Sequence, residues 1–112
     1  MEIIYKNKKI KIPIKKVSGF EKIKGLMFKS KTTENLLFKF KKNSSIRIHS
    51  FFVFFDFLCL WLNNKNEVIE REIVKPFTLS IKPKKSFYKL VEIPVNKKNK
   101  KIIHFFVGKR KI

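Results

Sequence analysis

The sequence predicts a mainly β (α+β) domain, a small closed or barrel-like body of about eight short strands with one short helix near residues 19–27. Three observations predict it. Apolar residues fall in brief runs that alternate with period two or stay apolar throughout. Turn formers separate those runs at short intervals, and only one stretch joins a helix-start signature to helical spacing. At 112 residues, with no Pro/Gly/Ser-rich linker and no repeat, the chain reads as one domain, residues 1–112.

Met1 to Tyr5 is the first expected strand, joined through Lys6-Asn7-Lys8 to the alternating run Lys9-Ile10-Lys11-Ile12-Pro13-Ile14-Lys15. Pro13 places that second strand at an edge or bulge, because proline has no N–H to give to a ladder. Ser18-Gly19-Phe20-Glu21 has capping-box spacing, and Phe20, Ile23 and Met27 follow at near-helical intervals, which predicts the helix over Gly19 to Met27. Leu36 to Phe40 alternates as a strand. The densest apolar region, Ile46 to Leu62, is interrupted by Asp56 and too short to span a membrane. It reads as two buried strands, Ile46 to Val53 and Phe57 to Leu62, with Asp56 at the turn between them. Asn63-Asn64-Lys65-Asn66 is a loop of turn formers, after which Glu67 to Val74 returns as a hairpin partner. Phe87 to Ile93 and Ile102 to Val107 complete the strands.

Charge has two readings. Twenty-eight Lys and Arg against eight Asp and Glu give a formal charge of +20, a potential that attracts RNA, DNA or another polyanion. Yet Lys, Ile, Phe and Asn make up 61 residues while Ala and Gln are absent, the skew that an AT-rich genome produces with no partner at all. The lysines are spread along the chain, which suits a solvated shell. Met1 to Lys16 carries charge throughout with no apolar core, so no secretory signal is expected and the reading is cytoplasmic. Cys59 has no partner, which excludes an intramolecular disulfide and a Cys-cluster zinc site.

Gly25-Leu26-Met27-Phe28-Lys29, Leu36-Leu37-Phe38, His49 to Phe55, Trp61-Leu62, Val74-Lys75-Pro76, Leu90 to Pro94 and Val107-Gly108 together resemble domain of unknown function family 192, also catalogued as uncharacterised protein family 0127. The blocks keep their order over residues 15–110. The resemblance implies a mostly β domain with one short helix, and it supplies no reaction. Three departures stand out. Lys29 replaces the usual Arg and loses its planar fork, Leu58 stands where an Asp is usual, and the late Gly-Asp pair is Gly108-Lys109.

No catalytic constellation, metal site or cofactor motif is expected. Three glycines build no phosphate loop, and two histidines without a third ligand at motif spacing make no metal site. Asp56 reads as a turn residue, Glu92 as an acid paired with a lysine beside the core, and Cys59 as a small buried hydrophobe. Lys29, His49, Ser50 and Glu92 are the candidate ligand-binding residues. Lys8, Lys9, Lys11, Lys15, Lys16, Lys97, Lys98, Lys100 and Lys101 are the candidate nucleic-acid contacts, with Phe77, Phe87 and Tyr88 as stacking platforms. Three functions follow: a binding or accessory module without catalysis, a basic nucleic-acid binder with weak sequence preference, and a degenerate enzyme-like pocket around Lys29, His49 and Glu92.

Overall fold

A computed structural model describes residues 1–18 and 25–112 of the chain. β1 (Glu2–Tyr5) and β2 (Lys8–Lys11) form an antiparallel hairpin in which Tyr5 faces Lys8. Lys6 and Asn7 between them both have positive φ, 50° and 65°, as a two-residue type I′ turn requires. The alternating run does not continue as one strand to Lys15. At Pro13, which cannot donate to a ladder, the chain leaves the hairpin and enters β3 (Lys15–Lys16), which pairs in parallel with β4 (Leu36–Ser44).

The larger sheet also contains β5 (Phe57–Leu62), β6 (Val68–Val74) and β7 (Phe87–Pro94), in the order β3-β4-β7-β5-β6. Among the described residues there are therefore seven strands in sheets of two and five. β5 and β6 make the expected hairpin, and the Asn63 side chain organises its loop by accepting from the Lys65 and Glu67 N–H groups, each at 2.9 Å. β5 is buried along its whole length because the sheet is covered on both faces. Phe57, Cys59 and Trp61 point into one core with Phe38, Leu90 and Val53. Leu58, Leu60 and Leu62 point into the other with Ile3, Ile12 and Ile103.

Three expectations need correction or fall outside the description. Ile102 to Val107 is helical: α1 (Lys100–Val107) buries Ile103 and Phe106, three residues apart on one face, and ends at Gly108 with φ 80°. Asn99 before the run and Gly108 after it are helix boundary signals that outweigh apolar content. Ile46 to Val53 is not a buried strand. Ile48 forms an isolated bridge to Ile81, while Ile46 and Phe52 are exposed. The segment turns where the Val53 N–H donates to the Ser50 carbonyl at 3.1 Å and Phe52 takes φ 58°. The helix expected over Gly19 to Met27 lies, up to Lys24, outside the described residues; Gly25 to Phe28 form a turn closed by Lys29 N–H donating to the Leu26 carbonyl.

Candidate functional site

Period two along β7 sends Val91 and Ile93 into the core under α1, and Leu90 and Glu92 to the opposite face. There Glu92 lies beside Leu36 of β4 and Cys59 of β5, in the middle of the sheet. It is only 6 % exposed, and among the described residues its carboxyl makes no hydrogen bond or ion pair with a lysine or any other group. Burial pushes this carboxyl up to about 8, since an ion in an apolar setting loses its hydration. At neutral pH the group is a carboxylic acid, able to donate a hydrogen bond.

Glu92 lines a cavity of about 200 Å³ between the sheet and two loops. Phe38, Phe57 and Leu90 form its apolar floor; Leu26 and Met27 close one side, and Ile46 to His49 the other. Gly25 is favoured here by its backbone, since a side chain would meet only ordinary contacts. Its φ is +55°, and a Cβ there would stand 3.4 Å from Glu92 Oε1 and 3.5 Å from the Phe38 ring. Arg47 and His49 are exposed and lie at the mouth. Arg47 donates to Ser80 Oγ at 3.0 Å. His49 Nδ1 accepts from the Phe51 N–H at 3.2 Å, which leaves the proton of the neutral ring on Nε2.

The structure thus brings two of the four candidate ligand-binding residues, His49 and Glu92, to one cavity. Ser50 is elsewhere: fully buried, its Oγ donates to the Lys75 carbonyl and accepts from the Thr78 N–H, both at 2.6 Å. Lys29 is half-buried and does not line the cavity. Arg47 and Gly25 are lining residues that sequence reasoning missed; they meet Glu92 only through the tertiary fold. Cys59 stands beside Glu92 across the β5–β7 pair, its thiol held well above the ordinary range, first by burial and then by the neighbouring acids. Among the described residues no group of three His, Cys, Asp or Glu side chains is placed to hold a metal ion. Asp56 pairs with Lys75 at 2.7 Å, and His104 lies on α1 beneath the far face of the sheet, with Nε2 3.0 Å from the Arg110 carbonyl.

Of the stacking platforms, Phe87 is fully buried and Tyr88 half-buried; Phe77 is 45 % exposed. The nine candidate lysines are all exposed. Two of their runs converge, because Lys98 shares a shallow depression with Pro13 and Ile14. A larger open depression of about 430 Å³ lies beside Lys31, Lys97 and Lys98, but its buried amide, Asn96, is already committed to the Lys31 carbonyl at 2.6 Å. The cavity at Glu92 is smaller and carries a polar group without a partner among the described residues.

No protein-family model and no curated protein matches the chain. Two solved structures share its fold. A protein from Sinorhizobium meliloti described as a "putative transcription regulator" aligns with TM-score 0.72 at 13 % identity, covering 83 % of this chain and 77 % of that one. A protein of unknown function from Novosphingobium aromaticivorans aligns with TM-score 0.71 at 12 % identity, covering 83 % and 70 %. No helix among the described residues is long and apolar enough to cross a membrane.

Proposed function

We propose that this protein is a small binding module, and that its cavity takes a small, mostly apolar molecule bearing a hydrogen-bond acceptor for the Glu92 acid group. The single observation that carries the reading is a buried carboxyl, without a partner among the described residues, facing an apolar cavity. Apolar pockets with a few convergent polar groups are the usual form of a small-molecule site. A volume of about 200 Å³ suits a single ring or a short chain, since an apolar cavity of about 150 Å³ holds benzene. Arg47 at the mouth favours ligands whose outer end is anionic.

The test is an NMR screen of small cyclic ketones, lactones and short-chain keto acids at pH 6, read from the amides of Gly25, His49 and Leu90. Binding is expected to weaken about tenfold per pH unit above 8, as Glu92 loses its proton. Glu92→Gln keeps an N–H donor and removes the pH dependence, while Glu92→Leu abolishes binding. Silence from all three amides across the panel at millimolar ligand refutes the proposal.

We read the body as barrel-like: the Ile4–Glu67 bridge sets β1 against the start of β6, and β2 runs on into β3 through Ile12 to Ile14, carrying neighbours around from one end of the large sheet to the other. Membership of domain of unknown function family 192 is supported by four of the blocks meeting at the cavity, through Gly25 to Met27, Phe38, His49 with Val53, and Leu90 with Glu92.

A second reading, nucleic-acid binding, draws on the converging lysines and the description of the Sinorhizobium protein. Affinity for a generic oligonucleotide should then fall by about a thousandfold or more between 50 and 200 mM salt. Absence of binding at the lower salt removes this reading.

A further inference from the structure

Four phenylalanines from three loops come together on the surface. Phe28 and Phe54 are each 63 % exposed, Phe52 and Phe77 each 45 %. Phe28 stacks on Phe52 at 4.9 Å; Phe52 meets Phe77 edge-on at 6.1 Å, and Phe77 meets Phe54 at 5.3 Å. Three of the four, Phe28, Phe52 and Phe77, have φ of 62°, 58° and 57°, a region that bulky L residues rarely enter. Such backbone persists only where surrounding bonds hold it, and it concentrates at functional sites. Here the bonds are explicit. Phe28 N–H donates to the Phe52 carbonyl, Phe77 N–H donates to the Ser50 carbonyl, and buried Ser50 Oγ ties the Lys75 carbonyl to the Thr78 N–H. Ser50 is thus a positioning residue for the cluster.

We propose that this cluster is a docking site for anionic lipid surfaces, with the phenyl rings entering the interface and the flanking cations meeting the headgroups. Charge complementarity selects that occupant. Residues 25–31, 46–56 and 75–86, which carry the cluster, contain seven Lys and Arg and one acid, Asp56, and Lys82, Lys84 and Lys85 are exposed. A second copy of the chain is disfavoured because each carries +20. Single-stranded nucleic acid needs separate free ring faces on which bases stack, whereas these rings spend faces and edges on one another. They also lie over the opposite side of the sheet from the lysines of β2 and α1. None of the three cavities above is lined by the four rings, so the cluster presents knobs to a soft medium and no groove to a folded partner. The anionic cytoplasmic leaflet attracts such basic surfaces at about 1 kcal/mol per nearby Lys or Arg. The loops bearing Phe28, Phe52 and Phe54 also line the Glu92 cavity through Leu26, Met27, His49 and Val53, so docking sets the cavity mouth beside the lipid. The docking proposal stands on the cluster alone and is tested without any cavity ligand.

The experiment is co-sedimentation of the full chain with phosphatidylcholine vesicles containing about a third phosphatidylserine, against pure phosphatidylcholine. Wild type is expected to bind the mixed vesicles. Phe28→Asn and Phe54→Ser are each expected to lower partitioning about tenfold, the scale of burying one phenyl side chain. Asn tolerates the left-handed backbone that strains Phe28, so the melting temperature of that variant stays level or rises and lost binding cannot be ascribed to unfolding. In wild type, vesicles are expected to slow hydrogen exchange at the amides of Phe52, Phe54 and Thr78. Undiminished vesicle binding by the double variant overturns the proposal in favour of charge alone. Failure of wild type to bind vesicles overturns it too, and loss of oligonucleotide binding or of self-association in the same variants would then name the actual occupant.

Discussion

Glu92→Gln is expected to stabilise the protein at neutral pH and to flatten its stability profile between pH 5 and 8. The wild-type carboxyl titrates near 4.5 when unfolded and at about 8 when folded. Between those values the folded state holds a proton that the unfolded state has released, so stability falls by about 1.4 kcal/mol for each unit of rising pH. The Glu92 contribution is complete below the lower value and disappears as pH climbs through the upper one. Glutamine does not titrate and keeps a donor of similar shape, so the variant gains about 3 kcal/mol at pH 7, a shift in melting temperature on the order of 10 °C. Urea unfolding of both proteins across that pH range measures it. Parallel curves would mean that the acid ionises as readily in the folded protein as in the unfolded one. A residue whose simplest isostere improves stability is one whose retention needs another reason, and ligand recognition is the reason proposed above.

How far this was legible from the amino-acid sequence depended on whether local pattern and tertiary burial agreed. They agree in β5 and β6, where apolar runs flank Asn63 to Asn66 and the asparagine side chain itself closes the loop. They agree at Glu92 in part: an acid between Leu90-Val91 and Ile93-Pro94 marks an apolar setting, but not that no lysine among the described residues pairs with it. They disagree twice. Ile102 to Val107 is apolar enough for a strand, and only Asn99 and Gly108 at its ends mark the helix. Ile46 to Val53 looked like core because apolar residues usually are, whereas part of its apolar surface faces outward. Hydrophobicity reports a preference for leaving water, and it does not say whether the escape is inward or toward a partner. Arg47 had no local signal at all, since it matters only through what the fold sets opposite it.

A second large effect is expected at a buried amide pair that the sequence pattern did not reveal. Asn35 and Asn99 are 3 % and 1 % exposed. Asn99 Nδ2 donates to Asn35 Oδ1 at 2.9 Å and to the Pro94 carbonyl at 2.8 Å, while Asn35 Nδ2 donates to the Pro13 carbonyl at 2.9 Å and to Asn99 Oδ1 at 3.3 Å. Two side chains thereby join the β2–β3 link, the entry to β4, the exit from β7 and the start of α1. Asn99→Ala strips partners from the Pro94 carbonyl and from both polar atoms of Asn35. Each buried group left unsatisfied costs about 1–3 kcal/mol, so a loss of about 3 kcal/mol or more is expected in urea unfolding. Asn35→Ala should cost a similar amount for the mirrored reason. Because each single variant already strands the other amide, the double variant should lose less than the two singles together by at least about 1 kcal/mol. Additive losses would show that the pair acts as two independent backbone clips, and amide exchange in α1, fast in Asn99→Ala but not in Asn35→Ala, would then identify the Asn99 bond to Pro94 as the one that seats the helix.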